Sequence, residues 1–246
     1  MRCKIIRYLT LAALFVKEQL KEPVAIFWMI ISPAAIFYLL SYSGGGLVSS
    51  EGSYLKSTAW FYAHISSNVA FFGFAFYIIG RRESGFIRSF VYASGAKFAF
   101  MLAQFFACSL ISLIYCTVFY ALTCFQFGGF KLFELLMVLP RFYTSYIFFC
   151  VPGILLSLMP MSFQNSSTLF SMISFAMLVF SVLGMRNAGH DLGMMDFLNP
   201  LYFASGLMES GFHYNYGFAL LALLLFVAVF LLALRFLRVN PVWSRY

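Results

Sequence analysis

The chain has 246 residues, of which 63% are hydrophobic and 10% charged, with a mean hydropathy of +0.90. A soluble globular domain carries about 25% charged residues, so this composition excludes a water-soluble fold and points to a polytopic, all-α integral membrane protein. The net charge of +8 would suggest nucleic acid in a soluble protein, but its placement along this chain follows the membrane, and no nucleic-acid partner is implied.

Residues 2–22 carry five basic and two acidic side chains around a partial helical stripe of Ile5, Leu9, Ala12, Ala13, Val16 and Leu20. No small-x-small cleavage site precedes the charged run 17–22, which argues against a signal peptide. An interfacial helix on the cytosolic surface is expected instead, although Leu11 and Leu14 fall on its polar side. Pro23 then opens the first of six predicted spans, over 24–42, 58–80, 98–125, 132–159, 166–185 and 216–234. Pro33 is expected to kink the first span. Turns are expected at 43–57, at Gly128-Gly129 and at 161–165. Residues 186–214 include Phe197, Leu201, Phe203 and Leu207, too apolar for a solvated loop, but Pro200, Gly206 and Gly211 interrupt any crossing. One or two short re-entrant helices satisfy both facts.

Six spans place both termini on one side. The N-terminal segment, the 81–97 segment and the C-terminal end each carry +3, whereas the loops of the other side carry 0, +1 and −2. The positive-inside rule therefore predicts both termini in the cytoplasm, in a cell membrane, with 1–246 forming a single transmembrane domain. No internal repeat of the secondary-transporter kind is evident.

The basic segment 81–97 lies between the second and third spans. On a helix, Phe86, Ile87 and Phe90 share one face and Ser84, Arg88 and Tyr92 the other, with Glu83 in the first turn and Gly95 as a stop. Arg81, Arg82 and Arg88 are then free for lipid headgroups or a protein. The alternative is an ordinary charged loop obeying the positive-inside rule.

No Gly-Lys dipeptide occurs, so the chain lacks a G-x-x-x-x-G-K-[ST] phosphate loop; H-E-x-x-H and G-x-S-x-G are also absent. No catalytic residue is nominated. Cys108, Cys116 and Cys124 recur every eight residues, which makes no single helical face, and the five cysteines read as apolar fillers, not a metal site. Polar residues inside spans are the remaining clues, because they are costly there. His64 and Asn68 are one turn apart near Ser67, either as a polar patch on a substrate path or as an interhelical hydrogen bond. Arg141 shares a face with Glu134 and is expected to snorkel, to pair with an acid, or to line a wet cavity. Phe71, Phe72, Phe74, Phe76 and Tyr77 cover all sides of the second span, chiefly for packing.

Taken together these parts resemble the membrane (permease) subunits of type 2 ABC exporters. Residues 17–33, KEQLKEPVAIFWMIISP, resemble that family's approach to the first span. Arg82, Glu83 and Gly85 resemble its R-E-x-G-type motif, with Lys97 at the basic position opening the third span, and Asn199-Pro200-Leu201-Tyr202 resembles the segment before the last span. The architectural likeness covers the whole chain and the motifs about forty residues. The resemblance implies a cytosolic coupling helix over 81–97, with Arg82, Glu83, Gly85, Phe86 and Arg88 contacting a separate ATP-binding subunit. It also implies a second membrane subunit, identical or different, with the substrate path between the two. His64, Asn68 and Arg141 are candidate path residues. The chain itself would be no enzyme and hold no cofactor, ATP-Mg belonging to the partner chain, and the cargo would be a drug, peptide, lipid or glycan. An ATP-independent transporter or channel is the alternative.

Overall fold

Nine helices, and no strand, occur among the residues described by the structure, a computed structural model that covers 2–42, 53–90, 95–186 and 199–237. They are α1 (Arg2–Gln19), α2 (23–42), α3 (Tyr54–Glu83), α4 (Phe86–Phe90), α5 (Ala96–Thr123), α6 (Leu132–Leu158), α7 (Phe163–Arg186), α8 (Pro200–Ser210) and α9 (Phe212–Phe236). Five of them, α3, α5, α6, α7 and α9, are long and apolar enough to cross a membrane, and α2 contributes the shorter apolar helix Phe27–Tyr42. The chain is therefore a helical membrane protein. The turn at 43–52, Tyr92, the segment 187–198 with His190, Asp191 and Asp196, and the tail from Arg238 lie outside the described residues.

The bundle is built around α3, the most buried of the long helices. Tyr62, Phe71, Phe74 and, on neighbouring helices, Phe37, Phe119, Phe142 and Phe149 are almost wholly enclosed. Rings meet edge to face, as for Tyr62 on Phe119 at 4.9 Å and Phe37 on Phe61 at 5.4 Å, the arrangement favoured by the ring quadrupole. Lipid tails are as apolar as these side chains, so close fit holds the bundle together more than exclusion from water does. Gly153 of α6 illustrates it: an added Cβ would stand 3.2 Å from Cβ of Ala75 and 3.4 Å from the Ala70 carbonyl.

Both α2 and α3 contain a widened π-helical stretch, Phe27–Ile31 and Val69–Ala75. In α2 the Ser32 N–H reaches back five residues to the Phe27 carbonyl, directly before Pro33. At the expected proline kink the helix thus changes its hydrogen-bond register. In α3 the Gly73 carbonyl is met from outside the helix by the Gln19 side-chain amide at 3.3 Å and the Cys108 thiol at 3.1 Å.

The second predicted span proves longer at its C-terminal side. Helix α3 continues through Glu83 and stops at Gly85, whose φ of +76° suits a residue without Cβ. Helix α4 is a separate short piece, and Gly95, at φ +86°, precedes α5. Residues 81–97 are therefore not one continuous helix, and Glu83 occupies the last turn of α3 rather than a first turn. The turn at Gly128-Gly129 forms as expected, with φ of +89° and +95°. Among the described residues 199–214, the short helix α8 packs Leu201, Ala204, Leu207 and Met208 against the bundle.

Contacts place α1's C-terminus, the α3–α4 junction, the start of α5 and the end of α9 together. Arg81 pairs with Glu18, and Lys97 Nζ lies 3.5 Å from the Arg235 carbonyl. This basic end also holds the α6–α7 turn, while α8 and the α5–α6 turn lie at the opposite end.

Candidate functional site: a groove along α3 and the basic junction beneath it

A groove of about 1040 Å³ opens between α2, α3 and α7. Along α3 its lining runs from His64 to Arg81, about 26 Å at a rise of about 1.5 Å per residue, close to the hydrocarbon thickness of a bilayer at about 30 Å. The far end is polar. His64 Nε2 and Asn68 Nδ2 are 3.1 Å apart, and Asn68 Oδ1 accepts from the Ser174 hydroxyl of α7 at 3.0 Å. With its oxygen so engaged, Asn68 donates through Nδ2, so His64 Nε2 accepts and the ring is the Nδ1-H tautomer. Trp60 stacks flat on that ring at 5.5 Å. His64 and Asn68 therefore belong to an interhelical polar contact, through Ser174, and that contact lines the groove. Ser174 was not foreseen, since a lone serine in a span carries no distinguishing sequence signal.

The middle of the groove is aromatic. Trp28 and Phe175 are well exposed, and Phe76 of α3 packs on Phe163 of α7 at 4.4 Å. At the basic end Glu18, Glu22, Tyr77 and Arg81 close the lining. Arg81 is occupied: it pairs with Glu18 and lies over the rings of Phe15 at 4.0 Å and Phe86 at 4.8 Å. Those contacts fasten α1 to α4.

The candidate coupling residues divide into two groups. Phe86 packs on Phe15 and Phe100, at 6.5 and 6.3 Å, and Ile87 is fully buried, while Arg88 is exposed. The expected division of α4 into an apolar and a basic face holds at these positions. Arg82 differs. Its side chain is only 1% exposed, with Nε 3.0 Å from Glu83 Oε1. Its Nη1 donates to the carbonyls of Ser157 at 2.9 Å and Met159 at 3.0 Å, and Nη2 to that of Met161 at 2.6 Å. Arg82 thus pins the α6–α7 turn to the end of α3 by satisfying carbonyls that the end of α6 leaves without intrahelical partners. The expectation that Arg82 is free for an outside contact does not hold in this arrangement, because Met159, Met161 and Glu83 engage its planar fork. Nothing in the uncharged sequence of that turn advertised the contact, since its acceptors are backbone carbonyls.

Arg141 is not brought to the groove. It lies at the opposite end, where Nη1 donates to the carbonyls of Met208 at 2.8 Å and Glu209 at 3.2 Å. There it caps the C-terminus of α8, where a helix favours a cation. Glu134 pairs with Lys131 at 3.2 Å instead. The buried Gln19, 5% exposed, is a further residue that sequence reasoning missed: it lies in a charged run, yet turns inward to Gly73 and Cys108. Cys108, Cys116, Cys124 and Cys150 are buried free thiols, and no metal-ligating cluster occurs among the described residues.

No family model matches the chain. It is similar to protein McbE of Escherichia coli, with 25% identity over 237 residues, 96% of this chain and 98% of that one. The likeness extends through nearly the whole length of both chains.

Proposed function

We propose that this chain is the membrane-spanning subunit of a type 2 ABC exporter, with six crossings and both termini in the cytoplasm. Helix α2 supplies the sixth crossing: its 20 residues, 23–42, cover about 30 Å at helical rise. The basic end faces the cytosol, following the charge distribution. One observation carries the reading. A groove as long as the bilayer is thick ends at a short basic helix whose Phe86 and Ile87 are packed inward and whose Arg88 is presented outward.

In this reading Arg88 and the outer surface of α4 meet a separate ATP-binding subunit, which supplies ATP-Mg and its hydrolysis. Arg82, Glu83 and Gly85 act by position. Arg82 makes the α3 end and the α6–α7 turn move together, Glu83 balances its charge, and Gly85 allows the chain to turn into α4. Arg81 passes the same displacement to α1. A second membrane subunit covers α7, which is mostly exposed and carries Gln164, Asn165, Thr168 and Ser171 outward, a costly surface to leave against lipid. Export of a drug, peptide, lipid or glycan proceeds along the groove, with His64 and Asn68 at its outer end. A second reading, an ATP-independent transporter, draws on the presence of ionisable His64 in the groove.

The test is a thiol crosslink from Arg88→Cys in native membranes, in a variant without the native cysteines. Cys108→Ser keeps a hydrogen-bonding group beside Gln19 and Gly73. Nucleotide-dependent capture of an ATP-binding subunit is the expected result. Capture of lipid or self alone would leave α4 as a charged loop and move the ATP-independent transporter to first place.

A further inference from the structure

We propose that the groove selects a cationic ligand with a planar aromatic body, held by Glu22 at the basic end and by the exposed ring of Trp28, six residues further along the lining. This rests on the groove being the export path. Three ionised groups line it: Glu18, Glu22 and Arg81. Glu18 and Arg81 neutralise each other, and the guanidinium face of Arg81 is already covered by Phe15 and Phe86. Glu22 is exposed and is the remaining charge among the described residues of the lining. Tyr77, also in the lining, places its buried hydroxyl beside the Glu22 carboxylate. Lys17 and Lys21 belong to the same charged run but do not line the groove. The lining is thus one negative charge over an aromatic wall.

The wall is open to a ligand. Trp28 is 64% exposed and Phe175 67% exposed, so both can offer a face, negative at its centre, to a cation or a stacking surface to a planar ring. An anion would meet Glu22 with no free cation in the described lining to compensate. A purely aliphatic ligand would fit the apolar middle but offer the Glu22 carboxylate no opposite charge. Charge and ring faces together therefore favour an aromatic cation over both.

The experiment is equilibrium binding of two dyes of similar shape, cationic rhodamine 6G and anionic fluorescein, to the full chain in bilayer nanodiscs. Binding is read by fluorescence polarisation against empty nanodiscs. Saturable binding of rhodamine 6G and none of fluorescein is expected. Glu22→Gln should weaken rhodamine binding about tenfold, the scale of one charge-assisted contact, and Trp28→Leu about threefold to tenfold. Glu134→Gln, at the other end of the bundle, should leave it unchanged. Equal binding of both dyes, unchanged affinity in Glu22→Gln, or uptake no greater than that of empty nanodiscs would overturn the assignment, the last identifying lipid or a second copy as the occupant. Such a failure alongside successful capture of an ATP-binding subunit from position 88 would remove the ligand class and leave the export reading standing.

Discussion

Two arginines, one at each end of the bundle, hold backbone carbonyls at helix C-termini, and their surroundings make them different devices. Arg82 is enclosed, paired with Glu83, and bonded to three carbonyls from Ser157 to Met161. Arg141 is half-buried and bonded to two carbonyls at the end of α8. The same side-chain chemistry therefore yields a rigid joint at the basic end and a simple helix cap at the other. Burial is what separates them. An enclosed guanidinium has no water to fall back on, so each contact it loses exposes an uncompensated charge.

The largest effect is expected from Arg82→Met. It removes the contacts that Arg82 makes to Glu83 and to the Ser157, Met159 and Met161 carbonyls, a loss of about 3–5 kcal/mol for one half of a buried pair. A thermal-unfolding measurement in detergent would check it. Glu83→Lys belongs with it, since it would set a second cation against Arg82 and so disturb the joint as well as any outside contact. A stability equal to wild type in Arg82→Met would show that the α6–α7 turn does not need its pin.

Arg141→Leu should be milder, about 1.5–3 kcal/mol for charged hydrogen bonds, and should act locally. Limited proteolysis is the suitable readout, with faster cleavage near α8 and an intact basic end. A defect as large as that of Arg82→Met would erase the distinction between joint and cap. Gly211→Ala sharpens the same end from the backbone side. Its φ of +75° and the 2.6 Å from an added Cβ to Arg141 Nη2 predict a loss of about 1–2 kcal/mol, measured by the same proteolysis. Most of that loss should persist in the Arg141→Leu background if the strain is in the backbone, and disappear if it comes from the clash.

The location of these features was only partly legible in the sequence. Arg82, Glu83 and Gly85 stood out as a motif, but their basic surroundings suggested exposure. The acceptors that turn Arg82 inward are carbonyls, which every residue carries and no sequence pattern marks. His64 and Asn68 were legible as a pair because a spacing of four residues puts them on one helical face. Their third member, Ser174, lies 106 positions beyond Asn68, and only folding brings it near. Arg141 was recognised as costly inside a span, but its solution, a helix C-terminus 67 residues away, belongs to tertiary structure.

What the sequence by itself determined is the solvent and the local structure. The apolar runs require a membrane because no soluble core could absorb them, the helical form follows because lipid satisfies no backbone polar group, and the Gly128-Gly129 pair marks a turn. Tertiary structure alone decided which faces meet. It turned Gln19 inward to the π-stretch of α3, assigned Arg81 to Glu18 and two rings, and opened the groove between α2, α3 and α7. The physical reason is that nearly every face of these helices is apolar, so periodicity cannot tell a lipid-facing side from a packed one, and the choice falls to shape and to a few polar partners distant in sequence.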